Sequence, residues 1–316
     1  MTIGLLAVWL TALVLDRWWG ELRRGHPLVF FGRYAGWLEQ RLNASASRSS
    51  SALLLLGALA MLLALLPWIF FVWWLGEQMG VLVWLFDSLV LYFALGRRSL
   101  FEHAMAVRDP LFKGELAEAR HATARIVSRE TATASEQDLV KAVVETSLEN
   151  SNDAVFASLF WYALAGSPGV VLHRLANTLD AMWGYRNERF LYFGRSAARL
   201  DDLLAFVPAQ LLSLLFCLVA EPGSRLAAFR AWWQQGRHWK SINAGSVMAS
   251  GAAALGLSVG GAARYAEGTE ERPRLGCGRS PQPGDIEVCF RLQRRAIALA
   301  VVILAVLIVL AGPRQW

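Results

Sequence analysis

The chain has 316 residues, of which 55% are hydrophobic and only 18% charged, and its mean hydropathy is +0.37. A soluble domain carries about 25% charged residues, so this composition excludes a disordered chain and argues against an ordinary cytosolic enzyme. Three cysteines exclude a disulfide framework, and their spacing fits no zinc template. The net charge is 31 − 25 = +6. The basic residues are spread between apolar runs, which fits a positive-inside membrane protein better than a nucleic-acid binder. Fourteen tryptophans suit membrane interfaces.

In chain order, residues 1–16 read as a retained first membrane helix, because no basic n-region or A-x-A cleavage site accompanies them. Residues 49–76 are uncharged, and 52–75 predict a span with a kink or break at Pro67. A second span is expected over 78–96, interrupted only by Asp87. The two make a hairpin whose turn, GEQMG, has no Lys or Arg. Arg17, Arg23, Arg24, Arg33, Arg41 and Arg48 precede it, and the basic helical segment 97–153 follows. Both flanks are therefore expected in the cytoplasm. Residues 154–172 read as a partly buried or re-entrant segment, and 203–220 as a membrane helix. The Gly/Ala/Ser-rich stretch 241–263 predicts close helix packing in the interior. Residues 264–290, rich in Pro, Gly and charge, read as a surface loop. Residues 296–313 form the last span, with Arg291, Arg294 and Arg295 just before it. The expected fold is all-α, a single polytopic domain over 1–316 with about four to six membrane-embedded helices.

Polar residues gather beside these runs. Glu145, Glu149 and Asp153 recur every four residues and would stack on one helical face. Like charges so placed repel and call for an Arg or a divalent metal. A solvated acidic face is the plain alternative, but this stack runs directly into apolar FASLFWYAL, where unpaired acids are costly. Asn177 and Asp180 share a face ahead of Gly184, which can end the helix. Arg195, Arg199 and Asp202 share another, with Asp201 adjoining. Carboxylates offer hard oxygen ligands to Mg²⁺, and guanidiniums bind phosphate or carboxylate. An internal salt-bridge network would use the same residues. His26 before Pro27 serves either proton transfer or structure. Asn243 and Gly245 open a small-residue helix whose N–H groups can face an anion. There is no P-loop, HExxH or CxxC signature.

Seven segments in order carry a resemblance: Asp16 with Gly20 and HPLVFFGR; EHAMAV at 102–107; ARIVSRET at 124–131; VETSLENSNDAVFASLFW at 144–161; NTLDAMWGYR at 177–186; FGRSAARLDD at 193–202; and SINAGSVMASGAAALG at 241–256. From about residue 12 to 295 the chain resembles the membrane-bound adenosylcobinamide-phosphate synthases of cobalamin biosynthesis, the CobD/CbiB family. Ala205 and Gln210 stand where the family pattern has Asn and Arg, and Ile242 where it has Pro. The resemblance implies ATP-dependent amide formation between adenosylcobyric acid, the corrinoid substrate, and (R)-1-aminopropan-2-ol or its O-phosphate, with Mg²⁺. It assigns Glu145, Glu149, Asp153 and Asp202 to catalysis and Glu149, Asp201 and Asp202 to metal. His26, Asn150, Asn177, Asp180, Arg186, Arg195, Arg199 and Asn243 are the expected phosphate or substrate contacts. The expected partners are the lipid bilayer, the small-molecule substrates and other late cobalamin-pathway enzymes, with no nucleic acid. The expected location is the bacterial inner membrane, with the active site facing the cytoplasm. An AmpE-like non-enzymatic membrane sensor lacks the NTLDAMWGYR and SxNAG motifs. A corrinoid or amine permease would place its charges in broken helices with repeat symmetry, and no repeat is visible here.

Overall fold

The structure is a computed structural model that describes residues 2–22, 25–43, 49–265 and 268–311. Arg23, Arg24 and Arg48 of the basic loops, and positions 312–313 of the last expected span, lie outside the described residues. The helices in chain order are α1 (Thr2–Trp19), α2 (Pro27–Leu42), α3 (Ser50–Gln78), α4 (Val83–Ala94), α5 (Arg97–Phe112), α6 (Leu116–Thr123) and α7 (Glu136–Ser151). They continue as α8 (Ala157–Trp183), α9 (Arg195–Val219), α10 (Arg225–Gln235), α11 (Ile242–Ala254) and α12 (Pro283–Ala311). Five stretches are long and apolar enough to cross a membrane: Ser50–Gln78, Gly80–Phe112, Glu136–Trp183, Arg195–Val219 and Pro283–Leu310. The protein is an all-α polytopic membrane protein. It divides into two compact units, residues 1–96 with 153–205, and residues 97–152 with 206–316.

In the first unit α8 packs on α2, α3 and α4, and α4 packs on α1. The core joins Phe31, Ala35 and Leu38 of α2, Ala60, Ala64 and Leu65 of α3, Leu175, Leu179 and Trp183 of α8, and Phe193 and Ala197 at the entry of α9. Local chemistry sets the ends. Ser49 accepts from Ala52 N at the start of α3, and His26 caps α2 ahead of Pro27. Gly184 closes α8 with its N–H on the Asp180 carbonyl at 2.7 Å. α3 runs on as one helix through Pro67. The break comes instead in α8, where Ala165 (φ −140°) and Gly166 (φ 62°) leave helical geometry. Gly166 is the residue that allows this, since a Cβ disfavours positive φ. Asp87 of α4 braces the break: Tyr162 Oη donates to it at 2.8 Å from one half of α8, and Ser167 Oγ at 2.6 Å from the other. Residues 154–172 are thus a helix interrupted midway, and the carboxylate inside the second apolar run has a donor on each oxygen.

In the second unit every α11 residue from Asn243 to Ala254 is buried, and α10, α7 and a strand pack on it. Its Gly, Ala and Ser residues let neighbours approach closely: a Cβ on Gly251 would stand 2.6 Å from a Leu148 methyl and 3.2 Å from the Phe216 ring. Segment 264–290 is more ordered than a loop, while most of its residues between 268 and 284 are exposed as its composition suggests. β1 (Ser258–Gly260) pairs antiparallel with β4 (Arg274–Gly276), and β2 (Ala263–Tyr265) with β3 (Gly268–Glu270). Arg272, Leu275 and Asp285 in it are buried, and α12 begins at Pro283. A buried carboxylate, Glu145, takes the Gly260 N–H and the Arg272 side chain and so holds this polar segment inward. Composition alone does not report such a partner.

Helix α3 meets the chain at Phe193 so closely that a Cβ on Gly57 would overlap the Phe193 carbonyl. Gly57→Ala should destabilise the first unit by about 1–3 kcal/mol through overpacking, read as a lowered Tm in detergent. Gly36→Ala, with nothing near its Cβ position, is the matched control.

Candidate functional site

Loop 184–194 and the first turns of α9 enclose a cavity of about 530 Å³ in the first unit. Arg186, Arg195, Arg199 and Asp202 all line it, with Tyr185 and Tyr192. Two glycines make the enclosure feasible. A Cβ on Gly184 would overlap the Asp180 carboxylate, and one on Gly194 the Trp183 carbonyl. Arg195 opens α9, so the first N–H groups and the positive end of the helix dipole lie among these arginines. Three guanidiniums with one carboxylate suit a polyphosphate far better than a neutral ligand.

An acidic group adjoins Asp202. Asp201 is buried, at 9% exposure. Asn177 hydrogen-bonds its carboxylate, and Asp153, Asp180 and Asp202 add negative potential there. Its Oδ1 meets no donor among the described residues. The compensating cation is Arg174, whose charge interacts with Asp153, Asp201 and Glu21. Arg174 Nη1 donates to the Asp153 carbonyl at 3.1 Å and to Asn177 Oδ1 at 3.3 Å. Sequence reasoning missed Arg174. Its signal was the three-residue step to Asn177 within HRLANTLD, which puts both on one helical face.

Glu145 and Glu149 belong elsewhere. Both line a second cavity of about 390 Å³ in the second unit, with Arg129, Trp239, Lys240 and Arg272. A π-helical turn, Asn152–Phe156, follows α7, and Asp153 within it interacts with Arg174 and Asp201 in the first unit. The three acids therefore serve two different settings rather than one face. Glu145 is almost inaccessible, at 2%. Arg129 donates to its Oε2, Arg272 Nη1 donates to the same oxygen at 3.0 Å, and Gly260 N donates to Oε1 at 2.8 Å. Arg272 also lies over the Trp239 ring at 5.0 Å. Burial tends to lower the Arg129 pKa, but Glu145 and Tyr265 outweigh it and hold it above the ordinary value. Glu145 is thus the anchor of a buried ion triad, while Glu149 lines the open space beside it.

Asn150 turns back along its own helix, with Nδ2 on the Thr146 carbonyl at 2.9 Å. Asn243 is buried near the start of α11. His26 Nδ1 accepts the Leu28 N–H at 3.3 Å, and the ring packs edge-on against Phe93. Burial lowers the His26 pKa; Glu21 works against this and Arg174 with it. Among the described residues no three His, Cys, Asp or Glu side chains converge as a metal site. Mg²⁺ commonly uses one or two carboxylates plus substrate phosphates, and Asp202 among three arginines fits that mode.

The fold defines a helical membrane protein, and one of its cavities carries three guanidiniums and a carboxylate. The description "CobD/Cbib protein" belongs to the family model that matches residues 9–293. A protein from Stutzerimonas stutzeri (strain A1501) named cobalamin biosynthesis protein CobD is 50% identical over 276 residues, 87% of this chain and 89% of that one. Its namesake from Chromobacterium violaceum is 46% identical over 290 residues, 91% and 92% of the two chains. The one from Mycobacterium tuberculosis (strain ATCC 25618 / H37Rv) is 36% identical over 307 residues, 96% and 93%. No solved structure matches significantly. The chain belongs to the CobD/Cbib family.

Glu145→Gln removes the anion between the half-buried Arg129 and the buried Arg272. It should cost about 3–5 kcal/mol, read as loss of folded protein in detergent. His26 gives a pH signature. Its folded pKa is lowered, so as pH falls the unfolded chain takes the proton first, near 6.5. The stability that neutral His26 contributes is complete above that pH and is lost below it, until the folded ring also protonates. The drop in Tm between pH 7.5 and 5.5 should shrink in His26→Asn, which keeps a capping acceptor.

Proposed function

We propose that this protein works in cobalamin biosynthesis, joining a side-chain carboxylate of adenosylcobyric acid to the amine of (R)-1-aminopropan-2-ol or its O-phosphate at the expense of ATP. The observation that carries this reading is the convergence of Arg186, Arg195, Arg199 and Asp202 on one cavity. Family membership and the names of the relatives support the pathway. The basic segments flanking the α3–α4 hairpin support a site on the cytoplasmic side of the inner membrane, where ATP is available.

The chemistry follows from the reactants. A carboxylate does not acylate an amine at neutral pH, because its oxygen is a poor leaving group. Attack of that oxygen on the γ-phosphorus of ATP breaks the bond to the ADP oxygen and gives an acyl phosphate. The amine then attacks the acyl carbon, and inorganic phosphate leaves. Arg186, Arg195 and Arg199 would hold the triphosphate and meet the charge that develops on it. Asp202 would hold Mg²⁺, which screens phosphate charge when bound. Asp153, set beside Arg174, is the acid we assign to take the ammonium proton. Glu149 remains the candidate of the second cavity.

The interrupted α8, with Asp87 at its break, is a feature a permease would share. Formation of the amide and ADP by purified protein given adenosylcobyric acid, amino-alcohol phosphate and Mg·ATP separates the synthase from both a permease and a sensor. Arg199 and Asp202 sit one helical turn apart. If they act on phosphate and metal, Arg199→Gln and Asp202→Asn each lower ADP release by at least about a hundredfold, some 2.7 kcal/mol, at near-normal Tm, and the double change restores nothing. A merely structural pair would lower Tm singly and recover in the double variant.

A further inference from the structure

Helix α10 presents two unlike faces. Ala228 and Ala231 are buried on the side that packs against α11. On the opposite side Leu226 is 59% exposed, Phe229 46% and Trp233 66%. Spacings of three and four place these on one stripe. Arg225 and Arg230 flank the stripe and Arg237 extends it, all exposed. No Asp or Glu occurs between Glu221 and Glu267. The helix starts six residues after the apolar α9 ends, so the chain delivers it at a membrane boundary. It is also fastened to α9: Trp232 Nε1 donates to Gln210 Oε1 at 2.9 Å, and Arg225 Nε to the Ala220 carbonyl at 3.1 Å.

We propose that α10 is an interfacial helix that docks on anionic lipid, with Leu226, Phe229 and Trp233 among the acyl chains and Arg225, Arg230 and Arg237 on the headgroups. An apolar stripe edged by arginine, on a helix without an acid, matches a negatively charged lipid surface. A protein partner would need carboxylates facing the same arginines and would leave the stripe bare in its absence. Gln210, which the family resemblance marked as a departure, becomes a positioning residue that orients the Trp232 side of the helix.

The test uses the full-length protein in lipid nanodiscs with and without phosphatidylglycerol. Cys277→Ser removes the exposed thiol, leaving Cys217 and Cys289 buried, and a nitroxide is placed at Trp233→Cys. The expected result is a label reached by oxygen and shielded several-fold from a water-soluble nickel chelate, relative to a label at Glu118→Cys on α6. Spin-labelled phosphatidylglycerol should associate in preference to phosphatidylcholine. Arg225→Gln/Arg230→Gln/Arg237→Gln should remove that preference, at roughly fivefold per arginine. Nickel access at 233 equal to that at 118 overturns the proposal. So does shielding that depends on the number of protein copies per disc, which would make the occupant a second chain. An unchanged lipid preference in the triple variant defeats the anionic assignment.

Discussion

Arg174 is a guanidinium set into a mostly apolar helix and surrounded by acids. A bare carboxylate in such a place is costly, and the first unit gathers several: Asp153, Asp180, Asp201 and Asp202. One cation, Arg174, interacts with three acids of this unit together: Asp153, Asp201 and Glu21. Its bond to Asn177 also sets the amide that touches Asp201. The adjoining cavity has arginines of its own, Arg186, Arg195 and Arg199, beside Asp202.

The second unit solves a similar problem with the signs reversed. Glu145 is one anion between two guanidiniums, and Arg272 is further covered by Trp239. This triad draws the polar 258–276 segment onto α7 through Gly260. An ion triad of this kind adds little net stability over an apolar core, but losing one member is severe. Its effect is to fix where Glu149, Lys240 and Trp239 stand around the cavity.

Much of this was legible in the residues. Long uncharged runs announced the membrane helices, Gly184 announced the end of α8, and the spacing of Arg195, Arg199 and Asp202 put them on one cavity wall. The small residues of 241–263 announced a buried helix, which ends at Ala254 before β1 begins at Ser258. What escaped is instructive. Glu145, Glu149 and Asp153 have perfect four-residue spacing, yet a π-turn and the division of the chain give them different neighbours. Spacing reports a shared face only while the helix stays α. Arg174 was hidden by the apolar residues around it, and the strands of 258–276 by their Gly, Pro and charge content. In each case the deciding contact lies far away in sequence, as Arg272 does from Glu145.

The brace across the broken α8 bears on how the protein is made. Asp87 lies 75 residues before Tyr162 and 80 before Ser167. During synthesis the α3–α4 hairpin enters the bilayer before α8, carrying a carboxylate whose donors do not yet exist. A central Asp costs about 2.5–3.5 kcal/mol at insertion, offset at that stage by the apolar α3 and by α1, which packs on α4. The hairpin is therefore provisional when it inserts, and its seating becomes final only once both halves of α8 have emerged and closed on the same side chain.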